Sequence, residues 1–124
     1  MGEHSAWTKL VVAEIGRIAD SAFQQRAWLG HGPEVASFLE TYNTLYDRAF
    51  DDFLRQPDWE QTGLPHAVRQ EMIQLDQMLE AYQVAGEDAD ILADPAWHSV
   101  VHQAQRVLQM IGEGATNARR EESK

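Results

Sequence analysis

The chain contains no cysteine. Disulfides, thiolate metal centres and a cysteine nucleophile are therefore excluded, and a reducing compartment is allowed. No apolar run approaches the ~20 residues that span a bilayer. The segment Met1-Gly2-Glu3-His4-Ser5 lacks a basic region followed by an apolar stretch, so no secretory signal is expected. Gly2 with Ser5 also misses the spacing for myristoylation. The expected location is cytoplasmic. Alternating β-branched runs are absent, which argues against strands. Bases are scarce: 10 Lys and Arg stand against 20 Asp and Glu, for a net charge of −10. The only basic cluster is Arg119-Arg120. A field of this sign repels nucleic-acid phosphates and anionic lipid, so neither is an expected partner.

What is present fits one domain. The 124 residues are 44% hydrophobic and 24% charged, and a chain of this length hides roughly two-thirds of its unfolded surface. Apolar residues recur at helical spacing. Val11, Ile15, Ile18, Ala22 and Phe23 mark a first helix over Ser5–Gln25, with Ser5 as its cap. Gly30-His31-Gly32-Pro33 breaks it. Val35, Phe38, Leu39, Tyr42, Leu45, Tyr46, Ala49, Phe50 and Phe53 mark a second helix over Glu34–Leu54. A loop through Pro57 and Gly63 follows. Val68, Met72, Leu75, Leu79 and Tyr82 mark a third helix over Pro65–Tyr82. Gly86–Asp90 reads as an acidic connection. Asp94-Pro95 then starts a last helix, because Asp caps and Pro suits the first helical position. Its stripe is Trp97, Val100, Val101, Ala104, Val107, Leu108 and Ile111, and Gly112 and Gly114 are expected to stop it. The expected fold is all-α: an irregular four- to five-helix bundle, a single domain over 1–114, with a disordered tail over 115–124.

Charge is distributed unevenly. Between Glu34 and Asp94 stand 14 acids and three bases (Arg48, Arg55 and Arg69), a net −11, while the rest of the chain is close to neutral. Such a surface either keeps the protein soluble or attracts a basic partner.

Motifs that carry chemistry are incomplete. His98 and His102 are spaced to share one helix face, as two imidazoles on one metal would require. No Glu follows His98 to act as a base. A third ligand would have to come from His66, Glu71 or Asp76, and two ligands do not specify a site. Glu87, Asp88, Asp90 and Asp94 lack the spacing and central glycine of a calcium loop. Glu71, Asp76 and Glu80 share a helix, which has no catalytic meaning without a cleft. Ser21, Ser37 and Ser99 lack nucleophile-elbow glycines. Gly30-His31-Gly32-Pro33 lacks the Lys and the length of a phosphate loop. No catalytic residue, metal or cofactor is expected.

Three runs carry a resemblance: Ala22-Phe23-Gln24-Gln25-Arg26-Ala27-Trp28-Leu29-Gly30-His31-Gly32-Pro33-Glu34-Val35, Leu45-Tyr46-Asp47-Arg48-Ala49-Phe50-Asp51-Asp52-Phe53, and Asp94-Pro95-Ala96-Trp97. Over residues 20 to 110 the chain resembles the helical immunity proteins of contact-dependent growth inhibition and related polymorphic toxin systems. The resemblance implies a cytoplasmic protein that binds one cognate toxin domain tightly and has neither substrate nor catalytic residues.

Carboxylates that mimic phosphates steer association with a basic toxin, and aromatic anchors supply the energy. The densest mixture of both is Asp47, Asp51, Asp52, Asp58 and Glu60 with Trp59. Asp47 and Asp51 stand four apart and so share a face, with Arg48 and Arg55 offset from it. Trp59, between two acids, is expected to be only partly buried and to act as the anchor; the alternative is that Trp28 and Trp59 close the ends of the core. Three functions thus stand: an immunity protein, a helical adaptor forming a homodimer, and a metal-dependent enzyme around His98 and His102.

Overall fold

The computed structural model describes residues 5–30 and 37–122, with side chains described through Gly112. The expected break at His31-Gly32-Pro33 and the start at Glu34 lie outside the described residues. The protein is all-α, and no strand occurs among the described residues. Among the described residues there are seven α-helices: α1 (Ala6–Ala19), α2 (Ser21–Trp28), α3 (Phe38–Asp47), α4 (Phe50–Arg55), α5 (His66–Ala81), α6 (Asp88–Leu92) and α7 (Pro95–Glu122). A 3-10 turn covers Trp59–Thr62. No helix among the described residues is long and apolar enough to cross a membrane.

Several helix ends follow from local chemistry. The Ser5 hydroxyl accepts from the Thr8 N–H at 3.1 Å and caps α1. The Asp94 carboxylate accepts from the Ala96 N–H at 3.0 Å, and Pro95 opens α7. The Asp90 carboxylate accepts from the Glu87 N–H at 3.0 Å. That contact closes the short helix α6 inside what reads as a mere connection.

The count exceeds the expected four or five because two long patterns are interrupted. The first breaks at Asp20, whose carboxylate accepts from the Phe23 N–H at 2.9 Å and so caps a new helix. An Asp inside an apolar rhythm thus acts as a start signal. The second breaks at Arg48-Ala49. Ala49 takes a left-handed conformation, φ 55 and ψ 48, which costs an alanine on the order of 1 kcal/mol. The turn lets Leu45, Phe50 and Phe53 all reach full burial. The last helix does the reverse: it runs through Gly112 and Gly114 to Glu122. Glycine weakens a helix by about 1 kcal/mol without forbidding it, and the alanine, arginines and glutamates that follow favour continuation.

Helix α7 is the spine, packed against both α1 and α5. Helix α1 also meets α3, α2 meets α6, and α4 meets α5. The core between them holds Val11, Ile15 and Ile18, then Phe50 and Phe53, then Met72, Leu75 and Leu79, then Trp97, Ala104 and Val107. One polar side chain joins three of these helices. Gln24, fully buried, donates to the Arg17 and Ile18 carbonyls at 2.9 and 2.8 Å and accepts from the Trp97 indole N–H at 3.1 Å. It satisfies carbonyls freed where α1 ends and a donor that would otherwise be buried without a partner.

Candidate functional site

The corner made by α3, α4 and the 3-10 turn carries the candidate surface. Helix α3 ends at Asp47, and α4 begins with Phe50, Asp51 and Asp52. The break at Ala49 corrects one expectation: Asp47 and Asp51 do not share a continuous helix face. Their electrostatic settings differ instead. Asp51 and Asp52 lie in the first turn of α4, where the N–H groups favour negative charge, while Asp47 lies at the carbonyl end of α3, which disfavours it.

Asp47, Asp52, Asp58 and Glu60 are exposed and Asp51 is half-buried. Ion pairs between described residues include Arg17–Glu14 and Arg106–Glu71. None of the five carboxylates of this corner takes part in one. Arg69, which the chain places close to them, is already engaged. Its guanidinium donates to the Leu54 carbonyl at 3.0 and 2.7 Å and to the Gln56 carbonyl at 3.1 Å. It also lies 5.0 Å from the centre of the Trp59 ring.

Trp59 is not an exposed anchor. It is 2% exposed. Its indole N–H donates to the Pro65 carbonyl at 3.1 Å, its ring meets Phe53 edge-on at 5.3 Å, and Arg69 closes over it. The loop from Pro57 to Gly63 folds as a tight turn that brings this ring beneath the surface, so its acidic neighbours face solvent while the ring does not. Trp28, 7% exposed and donating to the Thr41 hydroxyl at 3.2 Å, is interior as well.

The exposed tryptophan of this corner is Trp7, at 37% exposure. The break at Ala49 frees the Arg48 carbonyl, and the Trp7 indole N–H donates to it at 2.7 Å. The ring rests edge-on against Phe53 at 5.2 Å. Sequence reasoning missed this residue because it stands outside the acidic stretch. Its one signal is that it lies four residues before Val11, at the outer end of the α1 stripe.

His98 and His102 lie elsewhere, on α7. With Ser21, Gln24, Leu92, Trp97 and Gln105 they line an open cleft of about 300 Å³ between α2, α6 and α7. His98 Nε2 is 2.6 Å from the Leu92 carbonyl oxygen, so that nitrogen donates and is not available to a metal. The suggested third ligands are not brought to the pair. The Glu71 carboxylate accepts from Arg106 Nε, and Asp76 accepts from the Tyr46 hydroxyl at 2.7 Å. No group of three His, Asp or Glu suited to one metal ion occurs among the described residues.

Two tyrosine–carboxylate pairs mark the far side of the aromatic core. Burial, then the bond to Asp76 and its charge, push the Tyr46 hydroxyl well above its usual range. Burial, then the bond to Asp94 at 2.8 Å, raise Tyr82 to about 12. Both tyrosines therefore stay neutral donors at physiological pH, and the carboxylates they hold are structural. Compared with family models, with curated proteins and with solved structures, the chain matches none of them.

Proposed function

We propose that this chain is a protein-binding module, an immunity protein that neutralises a cognate toxin domain by forming a stoichiometric complex. The carrying observation is the set Asp47, Asp51, Asp52, Asp58 and Glu60, five carboxylates that make no ion pair among the described residues, above a support packed from Phe53, Trp59 and Arg69. Like charges held close repel, and a basic partner relieves that repulsion while the surface steers its approach. The partner is a basic toxin domain in the cytoplasm. The protein contributes binding and no chemistry, and a homodimer through this face is disfavoured by its own charge.

The test is co-expression with a toxin domain encoded beside its gene. The chain should restore growth and co-purify with the toxin in equal amounts. An Asp51→Lys/Asp52→Lys double variant should keep its helical circular dichroism yet associate more slowly, with a weaker dependence on salt. Failure of the wild-type chain to rescue any such toxin would overturn the reading.

A further inference from the structure

Beside the acidic corner, α1 presents a short apolar strip that stays exposed among the described residues. Ala6, Leu10 and Ala13 fall on one side of the helix, at steps of four and three, and all three are exposed. Leu10 is 45% exposed and Trp7, at the edge facing α4, is 37% exposed. The inner residues of the same helix, Val11, Ile15 and Ile18, are fully buried. The helix is therefore apolar on two sides, and the core accounts for one of them. The other large exposed hydrophobics, Leu39 and Val84, stand on α3 and on the link before α6.

The geometry points to a docking site for an amphipathic helix of a partner protein, one with leucine-like residues on its inner face and Lys or Arg along one edge. Two observations select that occupant. The strip is a straight ridge two turns long, with small residues on either side of Leu10, and such a ridge packs into the groove of another helix. Its Trp7 edge abuts the region of Asp47, Asp51 and Asp52 through the bond to the Arg48 carbonyl, and there three carboxylates outnumber the Arg48 cation, so that edge favours positive charge. Trp7 is preorganised, with its ring against Phe53 and its N–H fixed, so little freedom is lost when a partner covers it. This inference rests on the protein-binding reading and names the element of the partner that is bound.

Trp7 also supplies the readout. The other three tryptophans are 7% exposed or less, so collisional quenching by acrylamide reports on Trp7. The probe is a synthetic helical peptide of leucine and lysine, with a leucine–glutamate peptide of the same pattern as control. At low salt the basic peptide should bind and lower the quenching, and the acidic one should do neither. Leu10→Ser should weaken binding on the order of tenfold. Trp7→Ala should do the same while abolishing the quenchable signal, and because it also removes a contact with Phe53, Leu10→Ser at an exposed position serves as the variant that spares the fold. Binding that leaves quenching unchanged, or Leu10→Ser binding as wild type does, overturns the inference. The two readings fail separately. A toxin complex that forms at full strength with Leu10→Ser rejects the strip and keeps the immunity role. A peptide that docks on the strip of a protein that neutralises no toxin does the opposite.

Discussion

The aromatic core around Trp97 and the corner around Trp7 are made of the same residue types and put them to different uses. In the core, Trp28, Phe38, Tyr42, Tyr82 and Trp97 stack through ring contacts of 5 to 6 Å. Polar tips in and beside that core are answered by neighbouring side chains: Trp97 by Gln24, Trp28 by Thr41, Tyr82 by Asp94 and the adjoining Tyr46 by Asp76. At the corner the Trp7 indole N–H is also bonded, but the ring is partly open to solvent and the neighbouring carboxylates make no ion pair among the described residues. A bonded donor therefore does not separate the interior from the exposed corner. Coverage of the ring does.

The sharpest break of this comparison is to remove one ring from each region. Trp97→Ala should cost about 3–5 kcal/mol of stability, as large-to-small changes in a packed core do. Trp7→Ala should cost well under half of that, because part of its surface never leaves water. Urea titration of the two variants decides it, and equal losses would falsify the division.

Next in size is Gln24→Leu. It keeps the bulk but leaves the Trp97 N–H and two carbonyls without their partner. The expected loss is about 2–3 kcal/mol, read again by urea midpoint. A neutral result would mean that water enters the cleft beside Gln24 and takes over its bonds.

An alkaline titration then separates the regions by their ionisable groups. Tyr46 and Tyr82 keep their protons in the folded chain above the ordinary tyrosine value of 10.0, whereas the unfolded chain loses them there. Above that pH the unfolded state binds fewer protons, so stability falls as pH rises. The contribution is complete below about pH 10 and, for Tyr82, is lost as the pH passes about 12. Tyr46→Phe should flatten the decline of denaturation midpoint with pH, and a slope unchanged from wild type would show that the hydroxyl is not protected.

Ala49→Gly should stabilise the protein by up to about 1 kcal/mol, since glycine adopts the left-handed conformation freely. An alanine-to-glycine change inside a continuous helix does the opposite, so the sign alone tests the break. The smallest effect belongs to Asp58→Lys, at an exposed position, expected to shift stability by about 0.5 kcal/mol or less in a urea titration.

How much of this was legible in the sequence can be traced residue by residue. The caps at Ser5 and Asp94-Pro95 and the stripe of α5 were readable because each depends on neighbours within a turn. The break at Ala49 was not, for alanine carries no turn signal and adopts its conformation to let Phe50 and Phe53 face the core together. The burial of Trp59 was hidden because its cover, Arg69 and Phe53, comes from other helices. The five carboxylates come from the end of α3, the start of α4 and the 3-10 turn, and the exposed tryptophan bonded to this region is Trp7, more than 40 positions from Arg48, so only tertiary packing joins them. The histidine pair shares a helix as its spacing implied, but the Leu92 carbonyl that occupies His98 lies in a helix hidden within an acidic connection.

The bonds made by Gln24 and Gln105 also order events in time. Gln24 reaches Trp97 across 73 positions, and Gln105 donates to the Ala19 carbonyl across 86. Helix α1 has its main packing partner in α7. A ribosome therefore releases α1 and α2 long before the segment that covers them exists. Until Pro95 and its successors emerge, Val11, Ile15 and Ile18 lack their α7 cover, and the Gln24 side-chain oxygen lacks the Trp97 N–H that it accepts from. Contacts of such long separation slow folding and leave apolar surface waiting. During synthesis, the earliest helix is thus the last to be completed.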